Sequence, residues 1–192
     1  MSLRIIAGDL RGRRLKSHER PGLRPTTDRV RESVFSMLGS RLDFEGIEVL
    51  DLFAGTGALG IEAISRGAAR CTFVEGDRRT ARLIEENLRE LGIAERASVV
   101  AGDAVKFVST VEASYDLIVA DPPYAATVFD RLVQEVFTRG LLRGSGLFLL
   151  EHSSAMRPRS APGAAIVATR GFGDTDVTIF GVDRDAGATE PR

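Results

Sequence analysis

The 192-residue sequence predicts an α/β fold, a seven-stranded, mostly parallel sheet with helices on both faces. Three observations carry that reading. Short apolar runs alternate with amphipathic stretches from Ile47 to about Thr138. The runs are nearly unbroken in Val, Ile, Leu and Phe, as strands covered on both faces must be. The first of them feeds directly into a glycine-rich turn, "DLFAGTGALG", which opens a helical pattern.

Each element follows from local chemistry. Residues 3–8, "LRIIAG", and 12–16, "GRRLK", read as a short hairpin or two extended pieces around Asp9 to Gly12. Residues 19–25, "ERPGLRP", form a breaker-rich loop. A helix should follow, N-capped by Thr27 or Asp28. Val30, Val34, Met37 and Leu38 recur at helical spacing, and Gly39 can close it. "IEVLDLF" is the first buried strand, and "ALGIEAISRG" is the helix after its glycine loop. "CTFVEG" is the second strand, "RRTARLIEENLREL" an amphipathic helix ending near Gly92, and "ASVVAG" the third strand. A short helix spans residues 103–109, and "YDLIVAD" is the fourth strand. A helix over 128–138 leads to "GLFLLEH", the fifth. "AAIVATR" and "DVTIFGV" complete the sheet as an antiparallel pair. The last ten residues, 183–192, are a loose polar tail.

Bulk properties narrow the function classes. There is no run of about 18 apolar residues, so no transmembrane helix is expected. No apolar leader opens the chain. Cys71 is the only cysteine, which leaves no disulfide framework and no cysteine-rich metal site. A cytoplasmic, metal-free monomer is the expectation. The net charge of -1 hides an asymmetry. Residues 1–31 carry nine Lys/Arg against three Asp/Glu, and the remainder carries 17 against 24. A basic segment on an acidic body suits a polyanion, although charge alone fits a solvated face equally well.

In an open parallel sheet the ligand lies beyond the carboxyl ends of the strands. Those ends carry Asp51 with the glycine loop, Glu75, Asp103, and "DPPY" from Asp121 to Tyr124. Gly55, Gly57 and Gly60 make a literal G-x-G-x-x-G, and Glu75 stands eighteen residues after Gly57, where an acid can take ribose hydroxyls. This much suits NAD or any adenosine-containing ligand. Two features discriminate. Asp51, four residues before Gly55, would repel a pyrophosphate but suits a cationic ligand with an amino-acid end, such as S-adenosylmethionine. "DPPY" sets the Asp121 carboxylate beside the Pro122 carbonyl, two acceptors for the two hydrogens of an exocyclic amine. Tyr124 offers a flat face for a base.

Together "DLFAGTGALG", "FVEGD", "AGDA" and "DPPY" resemble the successive motifs of class I S-adenosylmethionine-dependent amino-methyltransferases, which have a Rossmann-like fold. "LRIIAGDLRGRRL" followed by "RPTTDRVRESVFSML" is similar to the RsmD family, the bacterial 16S rRNA guanine-N2 methyltransferases. The resemblance runs from about Leu3 to Val182. Gly76 in "FVEGD" departs from it, because a larger side chain is usual there.

The resemblance implies roles. Asp51, Gly55 and Gly57 line the methionine portion of the cofactor, with Phe53 and Asp121 among its contacts. Glu75 holds the ribose. Asp103 accepts from the adenine amine, with the Ala104 N–H nearby. Asp121, Pro122, Pro123 and Tyr124 form the catalytic motif that positions a target guanine. Arg11, Arg13, Arg14, Arg24, Arg29 and Arg31 contact RNA, the 16S rRNA of a small subunit or its assembly intermediate. Residues 1–39 form the RNA- and cofactor-contacting extension, and 40–182 the methyltransferase domain. Three alternatives remain: an amino-methyltransferase acting on DNA adenine N6 or a small substrate, an NAD(P)-dependent oxidoreductase, and a non-catalytic RNA-binding domain. Cys71 reads as a buried hydrophobe, Ser33 and Ser36 as helix-surface residues. His18 and His152 have no partners at ligand spacing.

Overall fold

The unbroken apolar runs become the central strands. The computed structural model describes residues 3–17, 28–123, 126–156 and 158–183. Seven strands form a mixed sheet in the order β3-β2-β1-β4-β5-β7-β6. The chain folds as two compact units, Met1–Ala104 and Val105–Arg192.

The first unit contains α1 (Asp28–Gly39), β1 (Glu48–Leu52), α2 (Ala58–Ser65), β2 (Arg70–Glu75), α3 (Arg78–Leu91), a single 3-10 turn (Ala94–Arg96) and β3 (Ala97–Ala101). β1 pairs parallel with β2, Asp51 opposite Phe73, and β2 pairs parallel with β3, Glu75 opposite Ala101. Val49, Leu50, Leu52, Phe73 and Val74 are fully buried, whereas β3 at the sheet edge is half-buried or exposed. α3 shows why its sequence stops where it does. Asp77 caps the start by accepting from the Thr80 N–H at 2.8 Å, and Gly92 ends it in the left-handed conformation, φ 74°. Between the caps Ala81, Leu83, Ile84, Leu88 and Leu91 make the buried stripe.

The N-terminal segment forms the expected short hairpin, with the Arg4 to Arg14 antiparallel bridge between its arms. Backbone bonds from the Ile5 N–H to the Arg13 carbonyl, the Gly12 N–H to the Ile5 carbonyl and the Leu15 N–H to the Leu3 carbonyl, each 2.9 Å, join the arms. Tertiary partners take several of the remaining amides. The Glu62 carboxylate accepts from the Ile6 and Ala7 N–H groups at 2.8 and 3.0 Å, and Ser65 Oγ accepts from the Leu10 N–H at 3.0 Å. Ile5 and Leu15 anchor the segment in the core. At Gly8, φ 80°, a Cβ would lie 1.7 Å from the Ser65 carbonyl oxygen, so only glycine lets the segment lie on the end of α2.

The second unit contains β4 (Tyr115–Ala120), α5 (Ala126–Thr138), β5 (Leu142–Ser153), β6 (Ala164–Phe172) and β7 (Thr175–Val182), after the short α4 (Ala104–Val108) that spans the boundary. β4 and β5 are parallel and β7-β6 is antiparallel, as expected, and β7 also pairs antiparallel with β5. β5 begins four residues earlier than its apolar run. Leu142 pairs with Tyr115 before the register shifts, so Arg143 to Gly146 belong to the strand despite their polar, glycine-rich sequence. Phe148 stacks on Phe180 at 5.9 Å.

At Gly60 a Cβ would lie 2.4 Å from the Phe73 ring and 2.6 Å from the Cys71 sulfur. We expect Gly60→Ala to lift α2 off β2 and cost about 1–3 kcal/mol, seen as a lower urea midpoint. An unchanged midpoint would show that the helix seat is loose.

Candidate active site

The first three strand ends build a loop with an open crown. Asp51, near the end of β1, is buried at 2% exposure, and its Oδ2 accepts from the Gly60 N–H at 2.9 Å. The N–H groups of a helix's first turn lack intrahelical partners, and the helix dipole favours an anion there. So the acid beneath the loop fixes the start of α2. Phe53 has φ 57°, a left-handed conformation that strains a large side chain. Gly55 and Gly57 follow at φ 56° and 78°. Their reasons differ. A Cβ on Gly57 would press on Ile61, Ile84 and Phe73 at 3.2–3.4 Å, whereas one on Gly55 would meet only the Phe53 carbonyl oxygen, at 3.9 Å. Gly57 is therefore a packing glycine. Gly55 leaves the loop backbone open to close approach by a ligand.

Glu75, at the end of β2, holds this loop in place. Its Oε2 accepts from the Gly55 N–H at 2.9 Å and its Oε1 from the Asp77 N–H at 2.8 Å. Each carboxylate oxygen keeps a further lone pair, so the half-buried acid can still accept from a ribose hydroxyl. Gly76 leaves space beside it: a Cβ there would have only the Gly102 carbonyl oxygen within 4 Å, at 3.9 Å. Asp103 is exposed just past β3, and Ala104 is buried at the start of α4. An open, strained glycine turn over a buried acid, with a second acid at the next strand end, fits a ligand with a cationic amino-acid end and a ribose. S-adenosylmethionine has both.

In the second unit, Asp121 directly follows β4. It is exposed, Pro122 is buried and Pro123 is exposed. The Asp121 side chain reaches solvent, yet the protein crowded around it excludes enough bulk water to push its carboxyl up to about 6. Tyr124 lies outside the described residues, as do His18, Thr27, Arg24 with the 19–25 loop, and residues 184–192 of the tail.

The basic residues separate into two kinds. Arg11, Arg13, Arg14 and Arg29 are exposed, with Arg13 donating to the Glu90 carbonyl at 2.9 Å. Arg31 corrects the sequence expectation. It is 1% exposed, pairs with Asp28 at 3.0 Å and donates to the Arg4 carbonyl, so its guanidinium serves the fold and does not face RNA. Burial lowers its pKa. Its period-3.6 position beside Val34 and Phe35 could have signalled the inward face. Cys71 is buried, and burial raises its thiol pKa well above the ordinary value. His152 is buried too, its Nε2 2.9 Å from Thr178 Oγ1. Sequence reasoning missed Glu62 and Asn87, which read as ordinary polar helix residues.

Among the described residues no cluster of three or more His, Cys, Asp or Glu side chains could hold a metal. No helix among them is long and apolar enough to cross a membrane.

The model of a family described as conserved hypothetical protein 95 matches residues 3–181. The ribosomal RNA small subunit methyltransferase D of Escherichia coli K12 is 38% identical over 149 residues, 78% of this chain and 74% of that protein. The Haemophilus influenzae protein of the same name is 35% identical over 152 residues, 78% of each. The solved structure of yhhF from Escherichia coli superposes with a TM-score of 0.84 at 32% identity, covering 95% of this chain and 99% of that one. The fold is the Rossmann-like class I methyltransferase fold.

Glu75→Ala should free both amides it holds. Hydrogen bonds to a charged group are worth roughly 1.5–3 kcal/mol, so amide exchange at Gly55 and Asp77 should quicken by about tenfold or more. Unaltered exchange there would mean that the carboxylate does not hold the loop.

Proposed function

This chain belongs to the RsmD family of methyltransferases, the family described as conserved hypothetical protein 95, and on that premise we propose that it transfers a methyl group from S-adenosylmethionine to the exocyclic N2 of a guanine in small-subunit ribosomal RNA. The observation that carries this reading is the combination, in one chain, of an open, strained glycine turn over buried Asp51 with "DPPY" directly after β4. The first suits a cationic amino-acid end. The second suits an exocyclic amine.

When bound, S-adenosylmethionine supplies a methyl group already activated on a sulfonium. The protein's part is binding and orientation. Asp51 and the Phe53–Gly57 turn receive the amino-acid end, Glu75 the ribose hydroxyls, and Asp103 with the Ala104 N–H the adenine edge. A guanine N2 lone pair is delocalised into the ring and is a poor nucleophile. The Asp121 carboxylate and the Pro122 carbonyl accept its two hydrogens and turn the lone pair out of conjugation. Tyr124 stacks on the base. Fixing the amine in line with the methyl supplies most of the remaining acceleration. The base must leave its stack for this, so phosphate contacts elsewhere have to hold the RNA. Residues 1–39 form that extension, with Arg11, Arg13, Arg14, Arg24 and Arg29 as its contacts.

Asp121 sets the pH dependence. Its carboxyl titrates at about 6, and only the ionised form accepts both ways. The transfer rate should therefore rise as pH climbs through about 6 and level off above it. The test incubates the protein with small-subunit RNA and isotope-labelled methyl donor from pH 5 to 8, then analyses the nucleosides by mass spectrometry. Label should appear in N2-methylguanosine with that pH profile, and Asp121→Asn should lower it at least tenfold and flatten the profile. Label only on adenine or cytosine, or undiminished turnover in Asp121→Asn, would reject the assignment.

A further inference from the structure

We propose that Asn87 is a positioning residue that couples the basic N-terminal segment to the glycine loop, so that RNA and cofactor tighten each other's binding. Asn87 sits mid-way along α3, 1% exposed, and its side-chain amide is fully committed. Its Oδ1 accepts from the Lys16 N–H at 2.8 Å. Its Nδ2 donates to the Lys16 carbonyl at 3.1 Å and to the Thr56 carbonyl at 3.2 Å. The two bonds to Lys16 imitate a strand partner and hold that residue in both directions. The third reaches the residue between Gly55 and Gly57. One buried amide thus ties together two segments forty residues apart in sequence.

Both ends have functional neighbours. Lys16 belongs to the basic N-terminal segment that also carries Arg13 and Arg14, and its ammonium pairs with Glu86 and Glu90 of α3. Thr56 sits in the turn whose Gly55 crown is open to a ligand. A ligand that moves the Thr56 carbonyl must stretch or shorten its bond to Asn87. A buried amide with no spare donor cannot absorb that shift alone, so Lys16 feels it. A polyanion that orders the basic segment sends the same constraint back, because coupling between sites is reciprocal. This inference rests on the proposed roles of the turn and of the basic segment.

The experiment measures S-adenosylhomocysteine affinity calorimetrically with and without saturating unmethylated small-subunit RNA. In the unaltered protein RNA should tighten binding about fivefold or more. Asn87→Ala should bring that ratio to about one. Asn87→Asp keeps the Lys16 N–H bond but removes both donations, and it should do the same should the alanine variant fail to fold. RNA should then no longer lower the KM for the methyl donor, with kcat changed less. Asp77→Ala, which removes the α3 cap without touching Lys16 or Thr56, should lose stability but keep the coupling. A ratio that survives in Asn87→Asp, or that Asp77→Ala abolishes equally, would overturn the inference alone. No affinity of the unaltered protein for S-adenosylhomocysteine would overturn the proposed function and the inference with it.

Discussion

A carboxylate buried under a helix start is the constraint on which the rest of the first unit depends. Asp51 is a charge at the end of a buried strand, and a buried charge without compensation is costly. Its compensation is the Gly60 N–H at the first turn of α2. That bond draws α2 down on β2, and the descent is possible because Gly60 leaves the Phe73 ring and the Cys71 sulfur unobstructed. With both ends fixed, the chain between β1 and α2 has little freedom left. It crosses through three consecutive odd positions in left-handed conformations, Phe53, Gly55 and Gly57. The strain at Phe53 is the cost of a turn that presents backbone outward. Glu75 then pins the crown from the neighbouring strand.

The same unit explains how the N-terminal segment can be basic, glycine-rich and yet ordered. Its own hairpin bonds satisfy only part of its backbone. Glu62 and Ser65 of α2 and Asn87 of α3 satisfy its backbone groups, and Arg66 completes Glu62 at 2.8 Å. Helices that pack against the glycine loop therefore also carry the segment that presents Arg11, Arg13 and Arg14. Arg31 belongs to this scaffold and not to the surface. Its position in a basic sequence block concealed that its neighbours Val34, Phe35 and Leu38 place it on the buried face of α1.

Much of this was legible in the sequence, for physical reasons. Buried parallel strands need mostly apolar runs, and "LIVA", and "VLDLF" apart from Asp51, supplied them. Gly92 signalled the end of α3. The acids at the strand ends stood out because a carboxylate is costly at the end of a buried strand unless something compensates it. Less was legible where structure is made by distant partners. The "LRIIAG…GRRLK" pattern implied the hairpin that forms, but not that a carboxylate more than fifty residues away takes its Ile6 and Ala7 amides. The start of β5 was hidden because Leu142 to Ser145 enter ahead of a register shift, with Gly146 close against the Asp116 and Tyr115 carbonyls. Asn87 carried no local signal at all, since its partners lie 31 and 71 residues away.

On the proposed function, the turn over Asp51 receives the amino-acid end of S-adenosylmethionine and not a dinucleotide pyrophosphate. Calorimetric titration of the unaltered protein with S-adenosylmethionine and with NADH, repeated on Glu75→Ala, tests it most directly. S-adenosylmethionine should bind saturably, more weakly in Glu75→Ala, and NADH should not bind. Saturable NADH binding without S-adenosylmethionine binding would contradict it.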